Sequence, residues 1–173
     1  MSTSAWAGFD LTSEQIAELE RHRELLVRWN QKLNLVSALE PRHYLEALFL
    51  AKHLPKLPLK IADVGSGAGF PGFPVAVARP ECEVTLIEAH QRKSVFLRDV
   101  SRETRNVRVL AKRAEQVAER FDWAISRAVR YEDIREAMQR LAPNIALLTG
   151  DLEIECKERI RLPWGDRRFL VIA

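Results

Sequence analysis

Residues 59–72 read Leu-Lys-Ile-Ala-Asp-Val-Gly-Ser-Gly-Ala-Gly-Phe-Pro-Gly, and no other stretch constrains the chain as tightly. Leu59, Ile61, Ala62 and Val64 make a short apolar run, glycines follow at 65, 67 and 69, and Pro71 stands where a helix can begin. The pattern predicts a strand, a tight turn and a helix N-terminus. Glycines at such a turn admit positive φ and let backbone amides approach a ligand with no Cβ in the way, while the helix start adds partial positive charge. A bound cofactor is the expected occupant. The dinucleotide fingerprint G-x-G-x-x-G would need glycine at 70, where Phe70 stands, so that reading fails by one residue.

What remains, Asp63-x-Gly65-x-Gly67-x-Gly69, resembles motif I of class I S-adenosylmethionine (AdoMet) methyltransferases. A second acidic residue, Glu88, closes the next apolar strand, Val84-Thr-Leu-Ile87, about where a ribose-binding carboxylate sits after one βαβ step. The bland alternative is a tight corner of glycines with Glu88 as a helix cap.

A chain of 173 residues suits one domain with an appendage. No window approaches the ~20 apolar residues of a membrane span, and the N-terminus lacks the basic start and apolar core of a secretory signal. A cytoplasmic protein with no membrane association is therefore expected. Cys82 and Cys156 lie far apart without C-x-x-C spacing, so neither a disulfide framework nor a metal site is expected. The net charge of +3 is unevenly placed. Residues 90–113 carry Arg92, Lys93, Arg98, Arg102, Arg105, Arg108, Lys112 and Arg113 against Asp99 and Glu103, which suits either a polyanion or a solvated helix face.

Along the chain, the first twelve residues read as a loose arm. Thr12 with Gln15 predicts a capping box for a helix whose apolar positions Ile16, Leu19, Leu26, Trp29 and Leu33 recur at helical spacing. A second helix is expected to begin after Pro41 and end before Pro55, burying Tyr44, Leu45, Leu48 and Phe49. Residues 1–58 thus form a helical appendage, and residues 59–173 the main unit. Strands are predicted near 59–64, 83–87, 106–110, 121–126 and 145–149, with helices near 71–78, 91–104, 114–119 and 131–141. This alternation implies an α/β fold, a parallel sheet covered on both faces with ligand at the carboxyl ends of its strands. Glu153–Arg161 and Arg168–Ile172, joined through Pro163-Trp-Gly-Asp166, read as a C-terminal hairpin.

Several stretches together resemble the RsmG family, also called glucose-inhibited division protein B. Trp29-Asn-Gln-Lys-Leu-Asn34-Leu-Val-Ser37 is similar to its W-N-x-x-x-N-L-(T/V)-(S/A) signature, and Val64–Pro74 to its V-G-(T/S)-G-x-G-(L/F)-P-G-(I/F)-P loop. Arg92-Lys93-x-x-Phe96-Leu97, Arg113-Ala114-Glu115 and Ser126-Arg127-Ala128 follow in the family's order. The resemblance covers residues 15–150. It implies a Rossmann-like class I fold and AdoMet-dependent N7-methylation of a guanine in bacterial 16S small-subunit ribosomal RNA, by a monomer without metal. A small-molecule methyltransferase and a diverged, non-catalytic AdoMet- or RNA-binding relative are the alternatives.

Carried over by position, the resemblance implies a cofactor site of Asp63, Gly65, Ser66, Gly67, Gly69, Phe70, Glu88, Ala114, Glu115 and Arg127, with Arg127 also beside the methyl-transfer centre. The basic stretch 90–113, with Arg92 and Lys93, and the first-helix residues Trp29, Asn30, Lys32 and Asn34 are the candidate RNA surface. Guanine N7 has a free lone pair and no proton to lose, so positioning rather than a general base should carry the chemistry. Two departures stand out. The family's H-x-x-D-S is replaced after His53 by Leu-Pro-Lys-Leu57, and its Lys-Gly after the fifth strand by Thr149-Gly150. The chain then reaches its hairpin with almost no room for another helix, which would uncover apolar sheet surface.

Overall fold

The computed structural model describes residues 8–127, 129–150, 154–165 and 167–173. The loose arm through Ala7, Ala128, the start of the predicted hairpin at Glu153, and Asp166 in its turn lie outside them. In order come α1 (Ser13–Leu33), α2 (Arg42–His53), β1 (Lys60–Val64), α3 (Gly72–Ala78), β2 (Glu83–Ile87), α4 (Gln91–Val100) and β3 (Val107–Leu110). A single 3-10 turn at Ala114–Gln116 leads to β4 (Trp123–Arg127), α5 (Tyr131–Leu141), β5 (Asn144–Thr149), β6 (Glu158–Arg161) and β7 (Phe169–Ile172).

The strands form one sheet of order β3-β2-β1-β4-β5-β7-β6, parallel from β3 to β5, with β7 antiparallel to both its neighbours. Alternate residues serve opposite faces, as a period of two requires. Ile61, Val84, Leu86, Ile125, Ala146, Leu148 and Leu170 pack under α1 to α4. Ala62, Val64, Ala124, Ile145, Leu147 and Val171 pack under α5 and the 3-10 turn. Because β1 and β4 diverge toward helices on opposite faces, the carboxyl ends of β1, β2 and β4 leave a crevice, the position where ligands bind in such sheets.

The helices before β1 share the first of these cores. Thr12 and Gln15 form the reciprocal capping box, and Leu19, Leu26, Tyr44, Leu48 and Leu50 are buried with the sheet residues. On α2 the buried side differs from the expected one: Leu45 and Phe49 are half-buried, whereas His43 and Glu46 are buried.

Two predicted helices are shorter. The segment 114–119 winds into only one 3-10 turn, because Arg140 donates to the carbonyls of Ala114 and Val117 at 2.7 and 2.6 Å, acceptors that an α-helix would use itself. The predicted helix 91–104 ends at Val100. Ser101 to Glu103 form turns, and the Thr104 hydroxyl bonds the Glu18 carboxylate.

No helix lies between β5 and β6 among the described residues. The sheet face there is nonetheless covered. Ile145, Leu147 and Val171 are buried, with Ile154 and Cys156 packed against them and the Arg159 guanidinium 4.6 Å over the Phe169 ring. A short strap at 154–156, outside any helix or strand, thus does the covering that a helix would do. The outer strand β6 carries Glu158, Arg159 and Arg161, charges that discourage pairing with another chain.

Candidate active site

The glycine loop is held from below by buried polar groups. Gly65, Gly67 and Gly69 have φ of 75°, 54° and 87°, all in the left-handed region that favours glycine. A Cβ at Gly65 would stand 2.7 Å from Val129 Cγ2, so a side chain there would also have to displace Val129. The amides of Gly65 and Ser66 donate to the Ile87 carbonyl, and the Ser66 hydroxyl to that of Asp63. Asp63 is fully buried and accepts the Gly72 amide at 3.0 Å through Oδ2, while Oδ1 has no partner among the described residues. Burial pushes its carboxyl up to about 7 against the pull of the Ser66 and Gly72 hydrogen bonds, and Glu88 adds to the rise.

His22 of α1 supports the same loop. Its ring is fully buried, Nε2 lies 3.0 Å from the Ala68 carbonyl and Nδ1 lies 2.6 Å from the Tyr44 hydroxyl. The carbonyl can only accept, so Nε2 carries the proton and Nδ1 takes the tyrosine's. Burial holds this histidine at about 3, hence neutral, and raises the Tyr44 phenol above its ordinary range. The imidazole stacks on Phe73 with centroids 4.6 Å apart, and Phe70 packs edge-on to His22, His43 and Tyr44.

Two pockets meet on the ridge made by Gly65 and Glu88. The larger, about 500 Å³, is lined by Leu35, Val36, Ser37, His43, Gly65 to Ala68, Phe70, Lys93, Arg127 and Val129 as well as Glu88. The smaller, about 220 Å³, lies between Ile87, Glu88 and Ala89, the segment Lys112–Glu115, and Asp133 with Ile134 of α5. Glu88 accepts the Gly67 amide at 2.9 Å and the His90 amide at 2.7 Å, which aims the carboxylate along the ridge. Each carboxylate oxygen retains a lone pair for a further donor.

The expected residues therefore divide. Gly65, Ser66, Gly67, Phe70, Glu88, Lys93 and Arg127 line the larger pocket; Ala114 and Glu115 line the smaller. Asp63 lies behind the loop as its support, and Gly69 is a loop residue that lines neither pocket. Arg92 is exposed on α4 outside both pockets, and Asn34 is the exposed left-handed cap of α1, with φ of 47°. Asn30 faces the chain itself, clasping the backbone of Val36 through both amide atoms and so shaping the pocket wall at 35–37. Trp29 is half-buried, its indole donating to Asp99 of α4. The basic stretch 90–113 does not form one edge: Arg105 and Arg108 line a separate groove with Lys60 and Glu83 at the amino ends of the strands.

Sequence reasoning missed a buried ion cluster behind the pocket. Glu46 is 0% exposed and takes Arg127 Nε at 2.8 Å and Arg168 Nε and Nη2 at 3.0 and 2.9 Å. Burial works to raise its pKa, but Arg168 and Arg127 outweigh that and hold the carboxyl below its ordinary range. Arg127 is thereby fixed at the end of β4, and its terminal nitrogens bond no other described residue.

A family model described as rRNA small subunit methyltransferase G (GidB) matches residues 15–149. The chain belongs to that family. Within the GidB family, it is 37% identical to the ribosomal RNA small subunit methyltransferase G of Chloroflexus aggregans over 82% of this chain and 64% of the relative. It is 34% identical to that of Aquifex aeolicus over 78% and 75%. The chain spans between 56 and 75% of the length of the curated GidB relatives compared with it. In fold it is similar to the ribosomal protein L11 methylase of Lactobacillus delbrueckii subsp. bulgaricus, with a TM-score of 0.62 at 11% identity over 78% of this chain and 79% of the other. The GidB chain thus has the class I AdoMet-dependent methyltransferase fold, with a helical N-terminal segment and a C-terminal hairpin.

Proposed function

We propose that this chain binds AdoMet across the Gly65–Glu88 ridge and methylates N7 of a guanine in bacterial 16S ribosomal RNA, in the cytoplasm where that RNA is made. The observation that carries the reading is the paired pocket. One lobe is small and flanked by Ile87, Ala114 and Glu115, which suits a nucleoside base; the other is larger, polar and floored by loop glycines, which suits an amino-acid end plus an incoming base. Glu88 stands between them, where ribose hydroxyls would reach a carboxylate that still has acceptor capacity. The positive φ values and the contact at Gly65 keep the loop backbone bare for close approach.

When bound, AdoMet supplies an electrophilic methyl group that an N7 lone pair takes directly. The protein's part is to aim and to balance charge. Phe70 packs one wall. Arg127, fixed by Glu46, presents its remaining N–H groups to a carboxylate or phosphate, and Lys93 adds a cation on the RNA side. The target must be an unpaired or extruded base, because the deep groove of an RNA helix hides N7.

The test is transfer from labelled AdoMet to small subunits or transcripts lacking the mark, with the modified position mapped. N7-methylguanine in small-subunit RNA is expected. Methylation of small molecules alone, or AdoMet binding without transfer to either, would replace this reading.

A further inference from the structure

Among the described residues, His43 is the one buried polar side chain of the larger pocket with nothing to bond. It stands in the first turn of α2, 7% exposed, with Phe70 and Arg127 beside it. Neither ring nitrogen has a partner among the described residues, and Nδ1 is completely buried. Nε2 is not so enclosed, and the residue lines the larger pocket. A buried N–H without an acceptor is rarer and costlier than a buried lone pair, so the proton belongs on Nε2. His43 therefore offers one N–H donor to the pocket.

We propose that His43 is a specificity residue for the target base, donating Nε2–H to O6 of guanine and thereby rejecting adenine. The inference rests on the reading of this chain as a guanine-N7 methyltransferase. Guanine and adenine present the same N7 acceptor on their Hoogsteen edge; what differs beside it is O6, an acceptor, against N6–H₂, a donor. A site that brings N7 to a methyl group necessarily holds the 6-substituent next to it. A fixed donor there matches O6 and meets the adenine amine donor to donor.

The electrostatics favour an imidazole for this task. Methyl transfer moves the sulfonium's positive charge onto the base, so a cationic donor at O6 would oppose the product. Burial first, then the Arg127 guanidinium, holds His43 at about 4; Glu46 and Glu40 pull upward and Arg42 downward. His43 thus donates a hydrogen bond without bringing a charge. The charge of Arg127 is met by the buried Glu46 carboxylate.

The experiment uses the full chain and RNA carrying guanine, inosine, 2-aminopurine or adenine at the position that wild type methylates. Inosine keeps O6; 2-aminopurine lacks it. Wild type is expected to use guanine and inosine alike and to lose about 10–100-fold in kcat/KM on 2-aminopurine. His43→Phe should lose a similar factor on guanine, lose nothing more on 2-aminopurine, and keep AdoMet affinity within about twofold, while His43→Asn, which keeps an N–H donor, recovers part of the loss. Equal use of 2-aminopurine and guanine by wild type overturns the proposal whether or not any variant folds. Full activity of His43→Phe with wild-type discrimination assigns O6 to another donor, and loss of AdoMet affinity assigns His43 to the cofactor; either overturns it. Absence of any N7-methylation by wild type removes the functional reading and this inference together, a result distinct from the others.

Discussion

The two faces of the sheet are built on different principles. Under α1 to α4 the core contains His22, Tyr44, Glu46 and Asp63, buried polar groups tied to the glycine loop or to Arg127. Under α5 the buried side chains are mostly apolar, Phe121, Met138, Leu141, Leu147 and Val171 beside the single phenol of Tyr131, with a strap in place of a helix. Burying polar groups is costly unless each is paired, so their concentration on one face marks where the molecule needs direction as well as cohesion. The thick face aims the site. The thin face holds the sheet together.

Breaking the ion cluster should produce the largest effect. Glu46→Ala leaves the half-buried Arg127 and Arg168 without their carboxylate, and about 2–4 kcal/mol of stability should go in urea unfolding. The surviving folded molecules should also transfer methyl groups poorly, since Arg127 is no longer held. Met138→Ala on the other face is expected to cost about 2–5 kcal/mol as a cavity, with activity per folded molecule unchanged. Loss of activity beyond its unfolded fraction would erase the distinction between the faces.

The pH dependence sharpens the contrast, because its groups all belong to the thick face. His22 and His43 are held at about 3 and about 4, below the ordinary 6.5, so each stays neutral when folded and takes up a proton on unfolding below that pH. Asp63, raised to about 7, does the opposite between its ordinary 3.8 and 7. Between roughly pH 4 and 6.5 the unfolded chain then binds a net one proton more, and stability should fall by about 1.4 kcal/mol per unit as pH drops. His22→Gln removes one of the two histidines and should flatten that slope toward zero. An unchanged slope in denaturant titrations would show that His22 is not the group being charged. The smallest effect belongs to the strap, where Arg159→Ala should cost about 0.5–1 kcal/mol through the lost contact with Phe169.

What the sequence made legible follows from how local each signal is. Positive φ at 65, 67 and 69 restricts those positions to glycine, so the loop announced itself, and the apolar runs before and after it gave the sheet. The short 3-10 turn escaped notice because Arg140, some two dozen residues later, competes for its carbonyls. His43 and Glu46 were hidden more deeply. Amphipathic spacing assigns polar residues of α2 to the outside, and what brings Glu46 inward are arginines 81 and 122 positions away. The signature Asn30 was found, but its role as a clasp on Val36 depends on the turn after α1 that no periodicity describes.

The contact between the His22 ring and the Ala68 carbonyl carries a consequence for how the molecule breathes. Since α1 supplies the only hydrogen bond from a side chain to the Ala68 carbonyl among the described residues, the helix and the loop form one opening unit. Amide deuterium exchange at Gly67 to Phe70 should then run in step with exchange along the middle of α1, although the two segments are some forty residues apart in sequence. A ligand seated on the loop would slow both together, and the protection it confers would be read as clearly on the N-terminal helix as at the glycines themselves.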